Sequence, residues 1–198
     1  MKSPRQFGIV MVFGLTVVTA TAQTAVSNSQ QNGQAQAPAT KIETLLLTKG
    51  SLIAKDFYSL GKISGNLGGG SIDVDALIVS RVGGQAVTLK GLRIEITEGG
   101  RVERSNTSFL DVEEVNDLLR AIDYFVSPES QTQPSGANRE VTFSTRGEFS
   151  LTCFGDQSQR SCALESGRIG KTRIFIAAGQ LAQMKAMVER ARTVLQGQ

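Results

Sequence analysis

The stretch from Phe109 to Val126, FLDVEEVNDLLRAIDYFV, limits what this chain can become more than any other. Val112, Val115, Leu118, Leu119, Ile122 and Phe125 recur at helical spacing and share one face. Asp111 suits the N-cap, Glu114 stands three residues later as a capping box requires, and Pro128 ends the run. Burying those side chains yields roughly 9–18 kcal/mol gross, at about 1.5–3 kcal/mol each. A face that apolar needs a sheet to lie on.

Strand signals stand on both sides of it. Lys41–Lys49 and Leu52–Ile63 read as strands, and Gly65–Ser71 as a loop. Ile72–Val82 alternates, with Ile72, Val74, Ala76 and Ile78 on one face. Gly83-Gly84 and Gly99-Gly100 are hairpin signals, with Gln85–Thr97 between them and Arg101–Ser108 returning toward the helix. The apolar phase changes at Gly91, from Val87 and Leu89 to Leu92, Ile94 and Ile96, which predicts a β-bulge there. After a polar linker, Ser127–Asn138, the plan recurs in shorter form. Val141 and Phe143, then Phe149, Leu151 and Cys153, then Cys162 and Leu164, then Thr172–Ile176 mark four strands. A helix over Ala178–Leu195 follows, with Leu181, Met184, Val188, Ala191 and Leu195 on one face.

The expected fold class is therefore α+β: antiparallel sheet or sheets of about 7–9 strands, with two amphipathic helices packed on one face. The order strands-then-helix occurs twice, giving candidate subrepeats 41–126 and 139–196. The first helix is acidic (Asp111, Glu113, Glu114, Asp117, Asp123) and the second basic (Lys185, Arg190, Arg192). That bias either complements the helix dipoles or marks two helices lying side by side.

Residues 1–22 have the form of a secretory signal peptide, with Lys2 and Arg5 before the apolar run Phe7–Val18 and the small-x-small site Ala20-Thr21-Ala22. The run is shorter than the ~20 residues a membrane span needs, so no transmembrane segment is expected after cleavage. Residues 23–40 carry no charge and no aromatic residue and read as a disordered tether. Residues 41–198 are long enough for a single α+β domain with its own core. The leader holds two of the 21 basic residues and none of the 18 acidic ones, leaving 19 against 18. A near-neutral mature chain is no general polyanion binder. Cys153 and Cys162 flank FGDQSQRS and lie in phase with apolar neighbours. In a secreted or periplasmic compartment they are expected to form a disulfide on the core side of a hairpin.

Most catalytic chemistry is excluded by composition. The chain has no histidine, which removes Ser-His-Asp and Cys-His catalysis, and two cysteines alone cannot complete a zinc site. Gly167–Thr172, GRIGKT, lacks the first glycine of a phosphate loop, where Glu165 stands, and leads into a strand; it reads as a turn. Ser59-Leu60-Gly61-Lys62 matches S-x-x-K, so Ser59 and Lys62 are candidates for an acylating pair, although no S-D-N or K-T-G follows. Asp73 and Asp75 project from one strand face and are candidates for Ca²⁺ binding or acid–base work. Asn106-Thr107-Ser108 is a glycosylation sequon. No cofactor is expected.

Repeated strands-then-helix units resemble, in architecture, the PUR-like single-strand-binding proteins. The resemblance implies nucleic-acid binding, which requires stacking aromatics in a basic groove. With 6% aromatics, no Trp and near-zero mature charge, nucleic acid is not an expected partner. The primary expectation is a non-enzymatic binding or interaction module of the periplasm or cell envelope, with a protein or envelope component as partner. The alternative is a small hydrolase or transferase using carboxylates or a Ser/Lys pair; the second alternative is the nucleic-acid binder. An enzyme requires a concave pocket with convergent polar groups, and a binding module an exposed patch or an open sheet edge. Intact-mass analysis of exported protein is expected to show a chain beginning at Gln23; retention of residues 1–22 would refute the leader.

Overall fold

The computed structural model describes residues 39–66, 69–128, 130, 137–155 and 160–197. The expected leader, 1–22, and all but the end of the tether, 23–40, lie outside them. The described chain runs α1 (Lys41–Leu46), β1 (Leu52–Ser64), β2 (Gly70–Val82), β3 (Thr88–Glu98), β4 (Arg104–Asp111), α2 (Val112–Val126), β5 (Arg139–Ser144), β6 (Ser150–Gly155), β7 (Arg160–Ser166), β8 (Thr172–Ala177) and α3 (Leu181–Gly197), with a 3₁₀ turn at Ala178–Gln180 before α3. Two antiparallel meanders result: β1-β2-β3-β4, here sheet one, and β5-β6-β7-β8, sheet two. Each is followed by a long helix, so the fold is α+β with strands then helix, twice.

Each sheet turns one apolar face inward. Ile72, Val74, Ala76 and Ile78 of β2 line up with Leu92, Ile94 and Ile96 of β3 and Leu110 of β4. Leu151 and Cys153 of β6 line up with Cys162 and Leu164 of β7 and Ile174 and Ile176 of β8. These residues and the buried faces of α2 and α3 form one continuous core. The two helices lie side by side, and Lys185 Nζ stands 2.7 Å from Asp123 Oδ1. Cys153 and Cys162 are direct cross-strand partners, joined by a disulfide whose Cα atoms are 4.1 Å apart, the close pairing of an antiparallel ladder. Both are buried on the core side. A bridge closing so short a loop is worth about 2.5–3 kcal/mol through chain entropy.

The structure corrects four local expectations. Lys41–Lys49 is not a strand: Lys41–Leu46 is helical. Thr40 and Glu43 form a capping box, and Ile42 and Leu45 fall on one side of the turn and are buried. Thr40 is itself buried, so the packed chain begins inside the expected tether. No bulge occurs at Gly91, where the β2–β3 register is continuous from Ser80↔Thr88 to Gly70↔Glu98. The apolar phase changes because β3 is covered from opposite sides along its length. Val87 and Leu89 join Ile42, Leu45, Leu77, Val79 and Phe109 in a second, smaller core beneath α1, whereas Leu92, Ile94 and Ile96 enter the main one. Gly91 is needed for the close approach of neighbours, since a Cβ there would lie 2.0 Å from the Leu110 carbonyl oxygen and 2.6 Å from Ile42 Cδ1. The bulge falls instead in β1, between Ser59 and Gly61.

The glycine pairs do not make two-residue hairpins: Val82 and Thr88 bound one connection, Glu98 and Arg104 the other. Finally, β4 continues to Asp111, so Phe109–Asp111 is strand. Val112, one of the expected helix anchors, is 44% exposed, while Val115, Leu118, Leu119, Ile122 and Phe125 are buried as their spacing predicts. Leu118→Ala is expected to cost about 2–5 kcal/mol in denaturant unfolding. Val112→Ala and Glu113→Ala should cost little, and three equal, small losses would mean that α2 is peripheral.

Candidate functional site

Sheet two has a second face that nothing among the described residues covers. Alternation sends Glu140, Thr142 and Ser144 of β5 outward while Val141 and Phe143 turn toward the core. The register arranges the outward residues in three rows across the strands. One row holds Ser144, Ser150, Glu165 and Arg173. The next holds Thr142, Thr152, Ala163 and Phe175, and the third Glu140, Phe154, Ser161 and Ala177.

Small side chains in the middle and large ones at the rim make this face a trough of about 480 Å³. Ala163 and Ser150 form its floor and are buried. Phe154 and Phe175 stand edge to face over it, with ring centroids 6.3 Å apart at 88°. Such a pair favours a fixed geometry by roughly 0.5–1.5 kcal/mol beyond its area. Opposite the rings, Arg173 is paired with Glu165. Lys171, also on the rim, is 3.9 Å from Glu148. The hydroxyls of Thr142 and Thr152 bond to each other at 2.9 Å. The trough thus offers an apolar wall, a hydroxyl floor, two ion pairs and the carboxylate of Glu140, which has no ion pair among the described residues.

The residues singled out from the sequence lie elsewhere, on the outward face of sheet one. Asp73 is held by Lys62 at 3.2 Å, and Asp75 by Arg93 at 2.6 Å. Arg93 also pairs with Glu95 and lies 5.5 Å from the centre of the Phe57 ring. Asp73 and Asp75 do share a face of β2, but each carboxylate is engaged by a cation, Asp73 by Lys62 and Asp75 by the Arg93 that it shares with Glu95. Ser59 lies opposite Asp75 and Lys62 opposite Asp73, with the bulge between them. Lys62 is therefore engaged with a carboxylate rather than with Ser59. Among the described residues, no group of three or more His, Cys, Asp or Glu side chains is arranged to hold a metal ion. Asn106 donates to the Gly170 carbonyl at 2.9 Å, and a Cβ on Gly167 would lie 2.7 Å from its Cγ. A glycan at Asn106 would have to displace the β7–β8 turn.

A buried ionic junction fixes how the elements meet. The Asp111 carboxylate accepts from the backbone N–H groups of Lys41 and Ile42 at 2.8 and 3.1 Å, and Arg146 approaches it at 3.1 Å. Glu114 accepts from the N–H groups of Asp111 and Arg146. Arg168 joins Glu43 to the Arg146 carbonyl. At the exposed margin, the hydrogen bond from Lys41 holds the Glu113 carboxyl below its usual pKa, and Asp123 beside Lys185 raises the ammonium above its own. Both of these pairs are open to solvent and add little stability.

Compared with protein-family models, with curated proteins and with solved structures, the chain matches none. The junction yields a direct test. Asp111→Ala leaves two backbone donors without their acceptor and Arg146 with only the more distant Glu114 carboxylate, at 3.5 Å, and is expected to cost about 3–5 kcal/mol. A loss under 1 kcal/mol in urea unfolding would show that α1 is dispensable.

Proposed function

We propose that the protein is an exported, non-enzymatic binding module that receives a protein or envelope component in the trough of sheet two. The observation that carries the reading is the Phe154–Phe175 pair, standing on an open sheet face beside the paired Arg173 and Glu165. A partner laid across it gains apolar contact from the rings and hydrogen bonds from the threonine and serine hydroxyls. It need not break a buried charge pair to do so.

The alternative, a carboxylate-based hydrolase, draws less support. Glu140 and Glu165 are the acids of the trough. They lie two strands and four residues apart in the register, which separates their Cα atoms by roughly 16 Å. Paired catalytic carboxyls stand about 5–9.5 Å apart. The nucleic-acid reading gains one observation, two aromatic rings on the face of a strands-then-helix unit. The same face carries Glu140 and Glu165 against Lys171 and Arg173, which does not attract phosphates. The disulfide is compatible with export, as is the finding that no described helix is long and apolar enough to cross a membrane.

The test is affinity capture from the native envelope fraction. Phe154→Ala/Phe175→Ala is expected to lose, by tenfold or more, a partner that the parent protein retains, with far-UV circular dichroism and Tm little changed. Phe57→Ala, which alters sheet one, should retain it. Equal retention by all three proteins would place the binding surface elsewhere. Specific, salt-sensitive binding of a single-stranded oligonucleotide by the parent would favour the nucleic-acid reading instead.

A further inference from the structure

β1 is an edge strand whose two halves are finished differently. Beyond the bulge its free edge is closed: the carbonyls of Leu60, Lys62 and Ser64 accept from Arg190, Gln183 and Gln180, the last two at 3.1 and 3.0 Å. Before the bulge, the outward edge of Leu52–Ser59 has no hydrogen-bonded partner among the described residues. Which groups it offers follows from the ladder. The Arg81 N–H donates to Val87, so odd-numbered residues of β2 face β3 and even-numbered ones face β1. Through the pairs Asp56↔Ile78 and Tyr58↔Ala76, the even residues of this half bond to β2. Ile53, Lys55, Phe57 and Ser59 therefore direct their N–H and C=O groups outward.

This half also carries apolar surface. Leu52 is 73% exposed, Phe57 50% and Tyr58 36%, and Val82, across from Leu52, is 52% exposed. It holds neither proline nor bulge, and only one lysine, the usual devices that blunt an edge.

We propose that this edge pairs antiparallel with the same edge of a second copy, about a two-fold axis at Phe57, joining two first sheets into one of eight strands. The charges select the register. An axis at Lys55 opposes lysine to lysine, and an axis at Asp56 opposes aspartate to aspartate, both unfavourable. An axis nearer Leu52 leaves Phe57 and Tyr58 outside the pairing. An axis beyond Phe57 sets Lys55 itself past the bulge, where the helical segment Ala178–Gly197 occupies the carbonyls. With the axis at Phe57 the ladder ends with the Lys55–Ser59 pairs, just short of the bulge, and Leu52–Ala54 of the second copy must bend away there. At Phe57 the ring meets its own counterpart, Lys55 lies opposite Ser59, and Asp56 lies opposite Tyr58, whose hydroxyl can donate to the carboxylate. Phe57 with its counterpart, and Lys55 with Ser59, are then the pairs that exchange two backbone hydrogen bonds each. The isologous contact closes on itself and leaves both troughs of sheet two free.

Sedimentation equilibrium of the purified protein at up to about 100 μM tests this directly. A dimer is expected. Lys55→Pro removes one outward N–H without touching the β2 ladder, and it should give a monomer of unchanged circular dichroism. Phe57→Glu, which keeps the backbone donors and sets two carboxylates on the axis, should do the same. Under mild oxidation, Phe57→Cys should cross-link into a covalent dimer and Lys55→Cys should not. A parent protein that stays monomeric overturns the proposal. So does a dimer that survives both Lys55→Pro and Phe57→Glu, or one in which Lys55→Cys cross-links and Phe57→Cys does not.

Discussion

Neither sheet of this protein can bury its apolar face without help, and the help comes from the other half of the chain. The inner residues of both sheets close on the α2–α3 pair in one cluster. α3 follows sheet two in sequence, yet it packs across β1, β2 and β3 of sheet one. The hairpin turns of sheet two in turn cover the edge of β4. A Cβ on Gly147 would lie 1.9 Å from the Phe109 carbonyl oxygen, and the Ser108 and Ser166 hydroxyls meet at 2.8 Å. The two strands-then-helix units are thus completed by each other, and the ionic junction at Asp111 secures the place where they meet α1.

Long apolar periods were legible without coordinates. The faces of both long helices, the four strands of each meander and the cysteine pairing follow from spacing alone. Val112 is the exception within α2, because the strand before the helix runs up to Asp111 and leaves the first turn at the rim. What stayed hidden has a common cause, dependence on partners remote in sequence. Lys41–Leu46 looks like a strand because LLL is apolar in either conformation. The capping box of Thr40 and Glu43, together with the distant carboxylate of Asp111, decides for helix. The phase change at Gly91 has the sequence appearance of an inserted residue, yet it records a strand buried on different sides at its two ends.

The trough was hidden for the same reason. Phe154 and Phe175 sit on strands separated by β7, and nothing in the order of residues says that their rings touch. The signal that was available is weaker: outward positions of β5 read Glu140, Thr142, Ser144, and the inward ones Val141 and Phe143, so the free face is marked but not its shape. For Asp73, Asp75 and Lys62 the sequence placed the groups on a shared face, but their charges could be weighed only with cross-strand neighbours known. Each carboxylate stands against a cation on an adjoining strand, which is the ordinary electrostatics of a solvated sheet.

The contacts by which α3 and the 3₁₀ turn before it close the edge of β1 span 116, 121 and 130 residues of sequence. They set an order of events in time. A chain emerging N-terminus first can form the β1–β4 meander early, but its inner face and half of its leading edge stay open until the final helix arrives. Closing such distant contacts is slow, because loop entropy must be overcome before the contacts reward it. During that interval the half-finished sheet offers backbone groups to any passing strand. A chain truncated before the Ala178–Gln180 turn would therefore be trapped in its stickiest state, with Leu60, Lys62 and Ser64 as additional points of capture.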